Sequence, residues 1–292
     1  MSNSTPSIAP ATGLSAGRIA RRFAELARRG EIGIVAYLTA GDPTLEASEQ
    51  IVLAAAEAGA DVIELGVPFS DPVADGPTIQ RASERSLRGG TKLTDVIAMV
   101  RRLRAKIETP LIFFSYYNPI LQLGLEKFAA EAAAAGADGV LVTDLTPEEA
   151  DDYRAAMHAQ GLDTIFLAAP TSTEARLVQI GKATSGFLYV VSRTGVTGTR
   201  DALPEDLPAL VRRARAATQL PIAVGFGISM PTHVSVLGGI ADAAVVGSAL
   251  VAAVEKSKSP EEAAEAVGQL IRSLKHAGAA GVSRRGIPAG SE

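Results

Sequence analysis

Ala58-Gly59-Ala60-Asp61-Val62-Ile63-Glu64-Leu65-Gly66-Val67-Pro68-Phe69-Ser70-Asp71-Pro72-Val73-Ala74-Asp75-Gly76-Pro77 carries the unit from which the whole chain is built. A helical pattern ends in a glycine, a short β-branched apolar run follows over residues 61–65, and a loop dense in Pro, Gly and Asp leaves it. The same rhythm spreads outward. Apolar runs at residues 32–39, 61–65, 111–116, 139–143, 164–168, 186–192, 222–225 and 243–247 alternate with segments of helical spacing at 45–58, 93–107, 125–135, 148–159, 174–183 and 207–217. Ala58-Gly-Ala-Asp61 echoes in Ala135-Gly-Ala-Asp138 and Gly239-Ile-Ala-Asp242, each a helix end leading into a strand. Strand then helix, eight times over, predicts a single α/β domain, a (β/α)8 TIM barrel with additional outer helices. The barrel is expected over residues 18–276 as the catalytic domain, with a further helix at 261–275, a disordered leader at 1–17 and a flexible tail at 277–292.

Composition limits what such a domain does. The chain has 292 residues, 47% hydrophobic and 21% charged, with a formal net charge of −4, so it can bury a large core. Its Lys and Arg are scattered, which leaves no footprint for nucleic acid. There is no cysteine, which removes disulfides and thiolate chemistry. His158, His233 and His276 stand far apart on helical stretches and read as solvated residues, with no metal site expected. No apolar run approaches the ~20 residues of a membrane span.

In a barrel of this kind the chemistry gathers at the carboxyl ends of the strands. Glu64, at a strand end, and Asp75, in the loop that follows, both fall there. A carboxylate in so apolar a frame has its pKa raised and can exchange protons near neutrality; pairing of Glu64 with an arginine is the alternative. Gly225-Phe-Gly227-Ile-Ser229 and Val246-Gly247-Ser248-Ala-Leu250 follow the last two strands, where glycines and free helix N–H groups suit a phosphate. Ser192-Arg-Thr-Gly-Val-Thr-Gly-Thr-Arg200 reads as a lid over the mouth, although a passive surface loop has the same composition. Tyr189 is either core filler or a hydroxyl in the mouth, depending on which face of its strand is inward.

Lys92, Lys106, Lys127, Lys182, Lys256, Lys258 and Lys275 all lie outside the strand runs, which disfavours a Schiff-base aldolase. Glycoside hydrolysis by two carboxylates fits poorly with a phosphate cradle and with a loop position for Asp75. Acid/base chemistry on a phosphorylated small molecule remains, and a phosphosugar isomerase or epimerase is one form of it.

The stretch from Glu64 to Pro77, the turn Leu38-Thr-Ala-Gly-Asp-Pro43, the segment Tyr189-Val-Val-Ser-Arg-Thr-Gly-Val-Thr-Gly198 and Gly225-Phe-Gly-Ile-Ser229 together resemble the tryptophan synthase alpha chain family, over about residues 18–276. The resemblance implies a retro-aldol cleavage of indole-3-glycerol phosphate to indole and glyceraldehyde 3-phosphate. It implies Glu64, Asp75, Tyr189 and Thr197 as catalytic residues, Thr197 orienting Asp75 when the lid closes. Gly198, Gly227, Gly247 and Ser248 are implied as phosphate ligands. It implies no cofactor in this chain, a pyridoxal-phosphate beta chain as partner in a cytoplasmic αββα heterotetramer, and contacts to that partner from Asp71 and from Asn118 in the turn after the third strand. A free-standing indole-3-glycerol phosphate lyase and a noncatalytic regulatory subunit are the alternatives. One departure stands out: Asp144-Leu-Thr-Pro147 places its proline one position later than the family's Asp-Leu-Pro.

Overall fold

The computed structural model describes residues 17–191, 205–225 and 227–280. In chain order its elements are α1 (Arg18–Arg29), β1 (Gly33–Thr39), α2 (Leu45–Glu57), β2 (Val62–Gly66), α3 (Pro77–Arg88), α4 (Leu93–Arg104), β3 (Leu111–Ser115), α5 (Tyr117–Leu123), α6 (Leu125–Ala135), β4 (Gly139–Val142), α7 (Asp151–Ala159), β5 (Asp163–Ile165), β6 (Leu167–Ala168), α8 (Glu174–Ala183), β7 (Leu188–Val191), α9 (Leu207–Ala217), β8 (Ile222–Gly225), α10 (Pro231–Val236), β9 (Ala243–Val246), α11 (Ser248–Lys256) and α12 (Pro260–Ala280). The nine strands are all parallel, in the order β5-β4-β3-β2-β1-β9-β8-β7-β6, a nearly closed barrel wrapped by helices.

Eight strands were expected, and the ninth arises from one segment. Residues 163–168 run as a single extended stretch broken at Phe166, with β5 paired to β4 and β6 paired to β7. Side-chain alternation passes through the break: Ile165 and Leu167 join the inner cluster, Phe166 and Ala168 the outer one. Only the hydrogen-bonding partner changes, so the pattern along the sequence carries no trace of it.

Two apolar layers explain the alternation elsewhere. Val35, Val62, Ile112, Leu141, Phe187, Ala223 and Val245 fill the barrel's interior, while Ile34, Ile63, Leu65, Leu111, Phe113, Val140 and Val224 face the helices. Strands buried on both faces read as continuous apolar runs, as parallel sheets do. The amino-terminal opening is closed by α1, which the sequence reading left unassigned. Ile19, Phe23 and Leu26 at i, i+4 and i+7 are buried in the inner cluster, with the Phe23 ring centroid 5.5 Å from that of Phe187.

The echoed Ala-Asp pair that follows a helix-ending glycine has one physical cause. Asp61, Asp138 and Asp242 each accept a backbone N–H at the start of the preceding strand in the chain: Ile34 N at 2.6 Å, Leu111 N at 2.8 Å and Ile222 N at 2.7 Å. Each is neutralised by bases, Asp61 by Arg22 and Lys275, Asp138 by Arg18 and Arg104, Asp242 by Arg215. A groove of about 570 Å³ on this face, lined by Arg18, Arg22, Glu25, Leu53, Thr109 and Pro110, lies at the end away from the strands' carboxyl ends.

Three details differ from expectation. His233 is buried, 2% exposed, because α10 lies under α12; His158 and His276 are exposed as read. The turn after the third strand is the first turn of α5. The helix α12 runs on to Ala280, with Ala277 buried. The shifted proline Pro147 opens a single 3-10 turn, Pro147–Glu149, from which α7 continues. No helix among the described residues is long and apolar enough to cross a membrane.

Candidate active site

Strand register puts Glu64 opposite Tyr37 on one side and Ile112 on the other, in the upper layer of the barrel's interior. Its neighbours Ile63 and Leu65 point outward, so the carboxyl group points in. Glu64 is 0% exposed, and neither carboxyl oxygen has a hydrogen-bond partner among the described residues. The arginine pairing considered from the sequence is therefore absent there. Burial alone pushes its carboxyl up to about 8. An unpaired charge in so dry a place costs several kcal/mol, so the group rests protonated at neutral pH.

Asp75 sits in the loop from β2 to α3, half-buried, with its carboxyl pushed up to about 6 by burial and held back by a hydrogen bond from Tyr116. Tyr116 Oη donates to Asp75 Oδ2 at 3.1 Å. The backbone of Asp75 is fixed as well: its N–H donates to Pro72 O at 3.0 Å, and Gln80 Nε2 donates to its carbonyl at 2.9 Å.

Tyr189 faces inward. Phe187 and Tyr189 belong with the inner cluster, Leu188 and Val190 with the outer, which resolves the choice left open by the sequence. Its phenol is raised well above the ordinary value by burial and then by Glu64, so it is a neutral hydroxyl beside that carboxyl. Gly225 makes room for it, since a Cβ there lies 3.0 Å from Tyr189 Oη.

Tyr37 and Tyr116 escaped the sequence reading. Tyr37 stands edge-on to Phe114 at 5.0 Å, and its hydroxyl lies over Gly66, where a Cβ falls 2.1 Å from it. Burial and then Asp75 raise its phenol, with Glu64 adding to the effect. The position of Tyr37 within the run 33–39 was available as a signal, once Glu64 is taken as inward.

The phosphate candidates lie on neighbouring strands. β8 pairs with β9, so Gly227, at φ +81°, and Gly247-Ser248 occupy adjacent loops. Gly247 caps α11, whose first-turn N–H groups at Ser248, Ala249 and Leu250 are free of intrahelical partners. His233 shapes the approach: its Nδ1 accepts from Ser229 N at 3.2 Å, a bond that requires the ring's proton on Nε2. Thr197 and Gly198, with the rest of the expected lid, lie outside the described residues. Asp71 and Val73 in the loop after β2 and Asn118 in α5 are all exposed, Val73 at 85%. Among the described residues no cluster of His, Asp or Glu has the arrangement of a metal site.

Residues 23–279 match the family model described as tryptophan synthase alpha chain. The chain belongs to the tryptophan synthase alpha chain family. A tryptophan synthase alpha chain from Solibacter usitatus is 53% identical over 240 residues, covering 82% of this chain and 90% of that one. One from Citrifermentans bemidjiense is 50% identical over 258 residues, 88% of this chain and 96% of that one. Among solved structures, the tryptophan synthase alpha subunit of Legionella pneumophila superposes with a TM-score of 0.82 at 39% identity, covering 90% of this chain and 98% of that chain. As a member of the family this chain is a carbon–carbon lyase of tryptophan biosynthesis, cleaving indole-3-glycerol phosphate to indole and glyceraldehyde 3-phosphate. The alpha chain carries no cofactor of its own, pyridoxal phosphate belonging to the beta chain.

Proposed function

We propose that Glu64 and Asp75 divide the retro-aldol cleavage between them. Glu64, resting protonated, gives its proton to C3 of the indole ring, and positive charge develops at the ring nitrogen. The bond from C3 to the glycerol carbon then breaks, its electron pair returning to the ring. The resulting Glu64 carboxylate takes the proton of the adjacent hydroxyl as that carbon becomes the aldehyde. One residue gives and then takes the same kind of proton, so the enzyme returns to its starting state. Asp75, ionised, accepts the indole N–H and stabilises the cation more than the neutral substrate. Tyr189 supplies a neutral hydroxyl beside Glu64. Gly227, Gly247, Ser248 and Gly198 hold the phosphate, and Thr197 steadies Asp75 when the lid closes.

The observation that carries this reading is the fully buried carboxyl of Glu64 inside the barrel, with no hydrogen-bond partner among the described residues. The test is indole release by Glu64→Gln. Turnover is expected to fall by at least about 100-fold, the usual share of a general acid/base, with substrate affinity kept. Near-normal turnover removes Glu64 from the role.

The same reading gives the chain a pyridoxal-phosphate beta chain as partner in an αββα assembly in the cytoplasm. Support comes from the exposed Asp71 and Val73 in the loop that carries Asp75, and from the exposed Asn118 two residues after Tyr116, which is bonded to that loop. Turnover with and without added beta chain separates this from a free-standing lyase, which shows no stimulation.

A further inference from the structure

Asp75 is held at one of its two carboxyl oxygens. Tyr116 Oη donates to Oδ2 at 3.1 Å and accepts from the backbone N–H of Ala74 at 2.9 Å. A phenol has a single proton, and with Ala74 N–H on the lone-pair side that proton is directed at the carboxylate. The Tyr116 ring is itself fixed, 5.0 Å from Phe69, and the next residue begins α5 with its N–H donated to Asp144 Oδ1 at 2.8 Å. With the Asp75 backbone pinned by Pro72 and Gln80, side-chain rotation is the freedom that remains.

We propose that Tyr116 is a positioning residue whose hydroxyl holds Asp75 Oδ2, leaving Oδ1 turned toward the ring N–H of the substrate. The inference rests on the reading of Asp75 as the acceptor of that N–H. It makes Tyr116 act through Asp75 and not on the substrate.

The titratable groups that face Asp75 are Tyr37 from β1, Tyr116 from the end of β3 and Tyr189 from β7, with Glu64 of β2 beside the first and last of these. Burial raises all three phenols, so they are neutral hydroxyls across the working range. Of these groups Tyr116 is the one hydrogen-bonded to the carboxylate. A donor to the ionised form opposes the effect of burial; without it Asp75 ionises at a higher pH than about 6.

The test is Tyr116→Phe in the full chain with its beta chain present, assayed for indole release across the pH range. Expected are a fall in kcat of about tenfold, as for a hydrogen bond to a charged group, little change in KM, and an acid limb moved to higher pH. Competition by inorganic phosphate should be unaltered, and 3-fluorotyrosine at position 116, which keeps the donor, should restore kcat and the limb. Asp75→Asn combined with Tyr116→Phe should lose no more than Asp75→Asn alone. An unmoved acid limb with normal kcat in Tyr116→Phe, or losses that multiply in the double variant, overturns the role of Tyr116 while leaving Asp75 in place. Normal turnover in Asp75→Asn overturns the reading of Asp75 itself, and the positioning role falls with it.

Discussion

A carboxyl group with no partner in a dry wall keeps its proton at neutral pH, whereas one with a hydroxyl donor gives it up, so Glu64 and Asp75 rest in opposite states. The proposed division of labour needs Asp75 ionised and Glu64 protonated. The pH profile of kcat/KM is therefore expected to be a bell, with an acid limb near 6 from Asp75 and a basic limb near 8 from Glu64. Glu64 also leaves a mark on stability. Its folded value, about 8, lies above the ordinary 4.5, so the native state holds a proton that the unfolded chain releases. Stability linked to that proton is complete below the ordinary value and is lost as pH rises through about 8. Glu64→Gln should unfold at higher urea than the parent at alkaline pH, the gap closing in acid; an equal gap at all pH values contradicts the linkage. Gly66 belongs to the same scale. Gly66→Ala forces the Tyr37 hydroxyl aside, at an expected cost of about 1–3 kcal/mol in urea unfolding, and Tyr37→Phe in that background should recover part of the loss. Glu64 and Asp75 were legible in the sequence because acids are conspicuous between apolar and turn residues. Tyr37 and Tyr116 were not, because an aromatic in an apolar run looks the same whether it fills the core or lines the mouth.

Among the elements, the three strand-leading aspartates do the joining. Each binds a backbone N–H at a strand start and is countered by basic side chains from α1, α4, α9 or α12. Asp61 is the most enclosed of them, 1% exposed. Asp61→Ala strands the Ile34 N–H and leaves Arg22 and Lys275 without their shared carboxylate, for an expected loss of roughly 2–4 kcal/mol; a loss under about 0.5 kcal/mol in urea unfolding rejects the clamp. The repeated Ala-Asp was visible in the sequence, but its reason was not, since the acceptor bond reaches back across a whole helix to the preceding strand. Helices with strong apolar periodicity were equally visible. The helix α1 carries such a pattern at Ile19, Phe23 and Leu26, yet what it covers is the inside of strands spread along the chain from Val35 to Val245, Phe187 among them. Burial of His233 had no local signal, because it depends on α12 arriving from the far end of the chain.

At the scale of the molecule, one barrel places Glu64 on the second strand and the phosphate candidates after its last two, with β1 between them. In the proposed site the substrate's ring and its phosphate are thus held by nearby strands, with β1 as the wall between them. Deleting residues 1–29 would uncover Phe187 and the interior floor. The expected result is a sharp fall in soluble yield and binding of a hydrophobic dye, measured against the full chain. The wall also has a seam. Where the segment 163–168 divides its ladder between two neighbours, β6 offers two paired residues to β7 and β5 three to β4. No single neighbour pairs with the whole of this segment, so the cylinder should first unzip at Phe166, and deuterium should enter the amides of this stretch before those of β1 and β2. If so, the wall beside Tyr189 should be the part that widens for a bulky bicyclic guest while the acid opposite stays still.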